Sequence, residues 1–396
     1  MRCLSASAVL LLALASTATA LDGRRLRVRD GRLVDQNSRE VMLRGVNARA
    51  EGIFDVTFDD GRLPLEPIPG FDSGDCDQMR TLGFNLLRLP VNWSGLEPTP
   101  GAYSAAYLQR IEDLVTQCGA RGVLVLLDFH QDGFSKEIGQ DGAPRWVLDL
   151  LLGPGGYPYL GGPLTDLGTR RFAPHTLAAF RAFFENASDV QTRFADAAIV
   201  LAQRFRHNRA VVGYEIMNEP LPTLTPNGAA LLDAFHQRIT AAIRTVDRRH
   251  LVVFEPDTVR NITNTAVRPS TPFPDRRAVY APHIYTGVFD FQNYVGDPAL
   301  LVPSMENAAA EAAAWGTPLL IGEWGIDPGH PYANEWITSQ LDLQDRLRAH
   351  STFWLWEETS SGMWGLFDGE SGPPANERLS RTTALSRVYA RLVPGR

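Results

Sequence analysis

Val211-Val212-Gly213-Tyr214-Glu215-Ile216-Met217-Asn218-Glu219-Pro220 runs from a short apolar stretch into a carboxylate at a chain reversal. Such a run reads as a buried parallel strand whose carboxyl end presents polar groups. Pro318-Leu319-Leu320-Ile321-Gly322-Glu323-Trp324-Gly325 repeats the arrangement further along. Comparable apolar runs lie at 41–46, 86–89, 123–127, 251–254, 279–281 and 352–356, and helical periodicity separates most of them, at 105–118, 192–205, 229–246, 305–315 and 335–349. Eight alternations of strand and helix predict the α/β class and a (β/α)8 TIM barrel. An N-terminal β-hairpin over 26–34, turning at Asp30-Gly31, precedes it, and a long insertion from 129 to about 191 follows strand three. Residues 379–392 read as the closing helix.

The chain has 396 residues, 44% of them hydrophobic, enough for one barrel and requiring no second domain. Residues 1–20 are apolar, with Arg2 near the start and Ala18-Thr19-Ala20 at the end. That pattern predicts a signal peptide, leaving 21–396 as an exported catalytic barrel, secreted or periplasmic. Of three cysteines, Cys76 and Cys118 remain after its removal; both fall on predicted helices, so a disulfide and two buried thiols are both open. The net charge of −7 carries no basic block, which argues against nucleic acid as a partner. No ligand spacing or glycine-rich phosphate loop suggests a metal or other cofactor. Oligomeric state is not legible.

Polar residues gather where a barrel keeps its chemistry: Arg88 on strand two, Asp128 and His130 after strand three, Asn218 and Glu219 after strand four, His283 and Tyr285 after strand six, Glu323 after strand seven, Trp354 and Trp356 at strand eight. Two carboxylates so placed suggest glycoside hydrolysis. One carboxylic acid protonates the leaving oxygen and an ionised partner attacks or stabilises the anomeric carbon, at roughly 5 to 5.5 Å separation if configuration is retained. Structural readings compete: Arg88 as a barrel ion pair, the histidines as core residues, the tryptophans as packing.

Asn218-Glu219-Pro220, His283-x-Tyr285 and Gly322-Glu323-Trp324, in this order, resemble family five of the glycoside hydrolases across the mature chain. The resemblance implies Glu219 as acid/base with a raised pKa, and Glu323 as an ionised nucleophile held by Arg88 and Tyr285. It further implies Asn218 on the sugar 2-hydroxyl, with Trp354 or Trp356 beneath the ring. Asp128-Phe129-His130-Gln131-Asp132, with Gly142-Ala143-Pro144-Arg145-Trp146, is similar to endoglycoceramidases, which detach a glycan from ceramide. Asp128 and His130 would then bind sugar hydroxyls. Lys136 is the single lysine among 38 basic residues, and is a candidate for a hydroxyl or carboxylate contact.

The apolar stretches 146–152 and 157–160 of the insertion predict a wall for a lipid aglycone, and a surface that could touch membrane transiently. The chain leaves about 40 residues after strand eight, little room for the β-sandwich common in that branch. A carbohydrate or glycolipid is thus the expected substrate. The alternatives are a glucan-type or simple β-glycosidase and a non-catalytic carbohydrate-binding barrel. Asn92, Asn186 and Asn261 head glycosylation sequons that decide nothing at this level.

Overall fold

The computed structural model describes residues 21–266, 273–289, 293–358, 364–367 and 377–393; the predicted signal peptide lies outside them. The strands are β1 Arg27–Arg29, β2 Arg32–Val34, β3 Glu40–Val41, β4 Arg44–Asn47, β5 Leu86–Val91, β6 Leu124–Phe129, β7 Val211–Glu215, β8 Leu251–Phe254, β9 Ala278–Tyr280, β10 Leu320–Ile321, β11 His350–Phe353 and β12 Leu392–Val393. The helices are α1 Ser73–Thr81, α2 Trp93–Leu96, α3 Ala105–Ala120, α4 Arg145–Leu152, α5 Leu167–Arg171, α6 Pro174–Phe184, α7 Val190–Phe205, α8 Gly228–Val246, α9 Arg260–Thr263, α10 Val302–Trp315, α11 Ala333–Leu347 and α12 Leu379–Leu385.

Strands β4 to β11 form one parallel sheet in the order β10-β11-β4-β5-β6-β7-β8-β9. A parallel bridge between Tyr280 and Leu319 closes it into the barrel. Alternation along the strands sorts their side chains into two cores. Leu87, Leu89, Val125, Leu127, Tyr214 and Val252 pack with the helices. Leu86, Leu124, Leu126, Val212, Leu251, Val253 and Leu320 form an inner cluster. The hairpin β1–β2 turns at Asp30-Gly31, both at positive φ, and adds Leu26 and Leu33 to that inner cluster. The insertion folds into α4, α5 and α6 before α7. Cys76 on α1 and Cys118 on α3 are disulfide-bonded with Cα atoms 5.1 Å apart, which decides between the two readings left open.

Two expectations are corrected. The run 41–46 is not one barrel strand, because β3 leaves to pair antiparallel with β2 and β12, and only β4 enters the barrel. The closing helix stops at Leu385 because Leu392 is drawn into register with Val41.

Candidate active site

The inward positions nearest the carboxyl ends of the strands carry charge. Arg88 is fully buried on β5, one inward step above Leu86. Its Nε donates to Glu215 Oε2 at 2.7 Å, one terminal nitrogen to Glu323 Oε1 at 2.8 Å and Asn47 Oδ1 at 2.9 Å, and the other to Asn218 Oδ1 at 2.9 Å and Glu255 Oε1 at 3.2 Å. Asp128 Oδ2 lies 3.1 Å from the same guanidinium. One cation therefore meets four buried carboxylates, an arrangement that costs stability unless protons or further cations balance it. Burial raises Asp128 to about 6 and pushes Glu255 well above the usual carboxylate range.

Glu323 is fixed on both oxygens, by Arg88 and by the Tyr285 hydroxyl at 2.9 Å. Glu219 stands at φ +40°, a strained conformation for a non-glycine residue. Gln131 Nε2 holds that turn by donating to the carbonyls of Asn218 and Glu219 at 2.8 and 2.9 Å. The Glu219 amide donates to Glu255 Oε2, and its Oε1 accepts from Asn261 Nδ2 at 2.8 Å. His283 Nδ1 lies 2.9 Å from the same oxygen and 3.5 Å from Glu323 Oε2, and its Nε2 lies 3.3 Å from Glu255. Carboxylate oxygens of Glu219 and Glu323 fall within 4.8 Å of each other.

The charge state differs from the sequence expectation of a raised Glu219. Burial raises that group, but the hydrogen bond and charge of His283, reinforced by Arg171, outweigh it and hold Glu219 well below the usual carboxylate range. For His283, burial is outweighed by Glu255, Glu323 and Glu219, which push it well above an ordinary imidazole. Glu323 is raised by burial, against the pull of His283 and Arg88. The two opposite shifts tie Glu219 and His283 into one proton-sharing pair.

A cavity of about 470 Å³ opens over the two glutamates. Its polar lining includes Arg49, Gln131, Asp132, Gln140, Arg171 and Glu358. Its apolar lining comes from Leu167, Phe172, Phe180, Leu221, Ile262 and Phe289, of which Phe172 and Phe289 are each 52% exposed at the mouth. Trp354 lines it too and stacks on His130, ring centroids 5.7 Å apart and 7° from parallel. His130 Nδ1 is 2.6 Å from Asp128 Oδ2, and burial lowers the imidazole to about 4, so it is neutral near pH 7.

The structure brings Arg88, Asp128, His130, Asn218, Glu219, His283, Tyr285, Glu323 and Trp354 together. It leaves two candidates outside. Trp356 is buried and donates to Asp75 Oδ1 at 2.9 Å, because β11 ends at Phe353 and strand alternation no longer applies. Lys136 pairs with Asp55 at 2.5 Å and does not line the cavity. The wall expected from 146–152 is also displaced: Val147 and Leu148 are buried in the core, and the cavity takes its apolar side from Leu167, Phe172 and Phe180, later in the insertion. The amide nitrogen of Asn218 donates to the Gln131 carbonyl at 3.0 Å, so one of its donors is already engaged.

Glu215, Glu255, Arg171 and Asn261 were missed as site residues. A glutamate inside an apolar strand run was the available signal for Glu215, since it demands a buried cation. Among the described residues the fold assembles three groups at metal-ligand distance: His130–Asp132–Asp141, Glu215–Glu255–His283 and Glu219–His283–Glu323. Members of each group are also paired with Arg88, Arg171, Asn92 or one another. Two sequon asparagines are likewise engaged, Asn92 with Asp141 and Asn261 with Glu219.

Residues 72–360 match the family described as Cellulase (glycosyl hydrolase family 5). Endoglycoceramidase I of Rhodococcus hoagii (strain 103S) is 31% identical over 315 residues, covering 74% of this chain and 61% of that protein. The chain spans 41 to 61% of the first three curated relatives it matches. Among solved structures, an endogalactoceramidase superposes with a TM-score of 0.80 at 30% identity, covering 94% of this chain and 86% of that one. Endo-glycoceramidase II from Rhodococcus sp., described as a lactosyl-enzyme intermediate, gives 0.75 at 27%, covering 92 and 82%.

Proposed function

The chain belongs to glycosyl hydrolase family 5, and from that premise we propose that it cleaves the β-glycosidic bond between an oligosaccharide and ceramide by double displacement. The observation that carries this reading is the two-natured cavity, with sugar-binding polar groups and a partly exposed apolar lining around one pair of carboxylates. The endoglycoceramidase relatives support the same substrate class.

Glu323, held by Arg88 and Tyr285, attacks the anomeric carbon. As the leaving oxygen arrives, the proton resting on His283 Nδ1 passes along the 2.9 Å contact to Glu219 Oε1, and Glu219 delivers it to that oxygen. The glycosyl–Glu323 ester forms and ceramide departs with the proton. Glu219 then takes a proton from water, whose oxygen displaces Glu323 from the anomeric carbon with retention, and passing that proton back to His283 Nδ1 restores the starting state. The approach of the carboxyl oxygens within 4.8 Å favours direct attack over the ~6.5–9.5 Å spacing that accommodates a water. Trp354 lies under the sugar at the first subsite, and Asp128 and His130 bind its hydroxyls. Phe172, Ile262 and Phe289 receive the lipid and could rest transiently against a membrane surface.

Residues 1–20 direct export, a reading that the disulfide supports; N-terminal sequencing of the exported protein checks it. Incubation with glycosphingolipids and soluble β-glucans, with products identified by mass spectrometry, tests the substrate. Release of an intact oligosaccharide together with ceramide is expected. Products from soluble glucans or aryl glycosides alone would assign the general family activity and reduce the apolar lining to packing.

A further inference from the structure

A second cavity, of about 320 Å³, lies behind α9 between β8 and α8. Its size is within the range of about 300–1,000 Å³ typical of small-molecule sites. Two buried polar side chains that line it have an atom without a partner. His236, on α8 and 4% exposed, has no hydrogen bond at Nε2. Arg260, on α9 and 2% exposed, spends Nε on Glu311 at 2.7 Å and one terminal nitrogen on the Ser304 carbonyl at 3.0 Å. Its other terminal nitrogen is unpartnered. A buried polar group left unsatisfied opposes folding, so two in one cavity call for an occupant that both donates and accepts.

The rest of the lining narrows its chemistry. Leu232, Phe254, Phe273 and Trp315 supply an apolar side, with Phe254 and Phe273 stacked at 4.3 Å. Asp233, Asp257 and Glu255 also face the cavity. Arg260 is already neutralised by Glu311, so these carboxyls leave nothing to attract an anion. Burial lowers His236 to about 3, so its imidazole is neutral near pH 7 and repels no uncharged ligand.

We propose that this cavity is a binding site for an uncharged, ring-sized molecule carrying a hydroxyl group, which gives its proton to His236 Nε2 and accepts from Arg260 while its apolar face packs on Leu232, Phe254 and Trp315. The site is separate from the catalytic cavity but adjoins it. Val259 lines both, and Asn261, the residue after Arg260, donates to Glu219.

Phenol and cyclohexanol are the probes, titrated into the full-length protein while the histidine ring resonances are followed by NMR, with benzoate as the anionic counterpart. Both alcohols are expected to shift the His236 ring saturably, and benzoate to bind at least tenfold more weakly. The Leu232→Trp variant, which fills the cavity from α8, should lose the shift while keeping its cooperative thermal unfolding; Ala229→Leu provides a second filling variant should that one fail to fold. The proposal is overturned if neither alcohol moves His236, which would leave the two groups to water. It is equally overturned if only His130 and His283, beside the catalytic glutamates, respond, if the shift survives in the filled variant, or if benzoate binds as tightly as phenol.

Discussion

The lower and upper halves of the barrel interior are built by the same strands yet obey opposite rules. Leu86, Leu124, Leu126, Leu251 and Val253 close the lower half as an apolar plug. One inward step further along the same strands stand Arg88, Asp128 and Glu255, with Glu215 and Glu323 beside them. Apolar burial in the plug favours folding at about 25 cal/mol per Å², whereas ions stripped of water in the upper layer oppose it. Stability is thus concentrated at one end of the barrel axis and chemistry at the other. The upper layer can be strained and charge-imbalanced because the lower one holds the strands in place.

The sharpest way to break this division is at Glu323. Glu323→Gln should lower turnover of any substrate by about a thousandfold or more, since the carboxylate proposed to attack is gone. Thermal unfolding should stay the same or rise, because one of four carboxylates crowding Arg88 becomes neutral. A marked fall in Tm would show that the upper layer carries stability after all.

Leu126→Ala is the converse test. Removing a fully packed leucine from the plug should cost about 2–5 kcal/mol, read by denaturant unfolding, with kcat/KM well below the transition unchanged within about twofold. A comparable loss of activity would mean that the plug positions the carboxylates directly.

His283→Asn addresses the proton. In the intact pair Glu255, Glu323 and Glu219 raise the imidazole above its ordinary value and so place it to share the proton that the proposed acid Glu219 delivers. The alkaline limb of kcat/KM therefore reports loss of that proton from the pair, not from a lone carboxyl. Without the imidazole, Glu219 must hold the proton itself. Its pKa rises from the depressed value but remains below that of the lost imidazolium, so the alkaline limb should move down by about one pH unit or more. A limb that stays or moves up would show that Glu219 and His283 do not share the proton.

The same division explains what the sequence made legible. Strands buried on both faces read as apolar runs, so the barrel and the ends of β5, β6, β7 and β10 were visible, and with them Arg88, Asp128, Glu219 and Glu323. Pairings between distant segments left no local trace. Thus β3 and β12, joined across nearly the whole chain, were read as part of a barrel strand and part of a helix. Glu215 was hidden because its role exists only relative to Arg88, Glu255 was legible only as part of Phe254-Glu255-Pro256 after strand five, which fits the endoglycoceramidase resemblance, and Arg171 was hidden because the insertion has no period from which to infer where its side chains face.

Lys136 gives the smallest effect. Being the single lysine made it stand out, but composition says nothing about position. Its ammonium meets Asp55 with both side chains about 15% exposed, outside the charged layer and the cavity lining. A partly solvated pair of this kind contributes about 0–1 kcal/mol, and Asp55 keeps the Ser94 hydroxyl at 2.6 Å when the lysine is removed. Lys136→Ala should therefore lower stability by no more than about 1 kcal/mol, in a manner weakened by salt, and leave kcat and KM for a glycosphingolipid unchanged. A rise in KM with kcat intact would return Lys136 to the substrate and extend the binding surface beyond the cavity, to the segment that carries Asp55. That outcome would also blur the axial division, since it would place recognition in the loops that surround the barrel as well as in its upper layer.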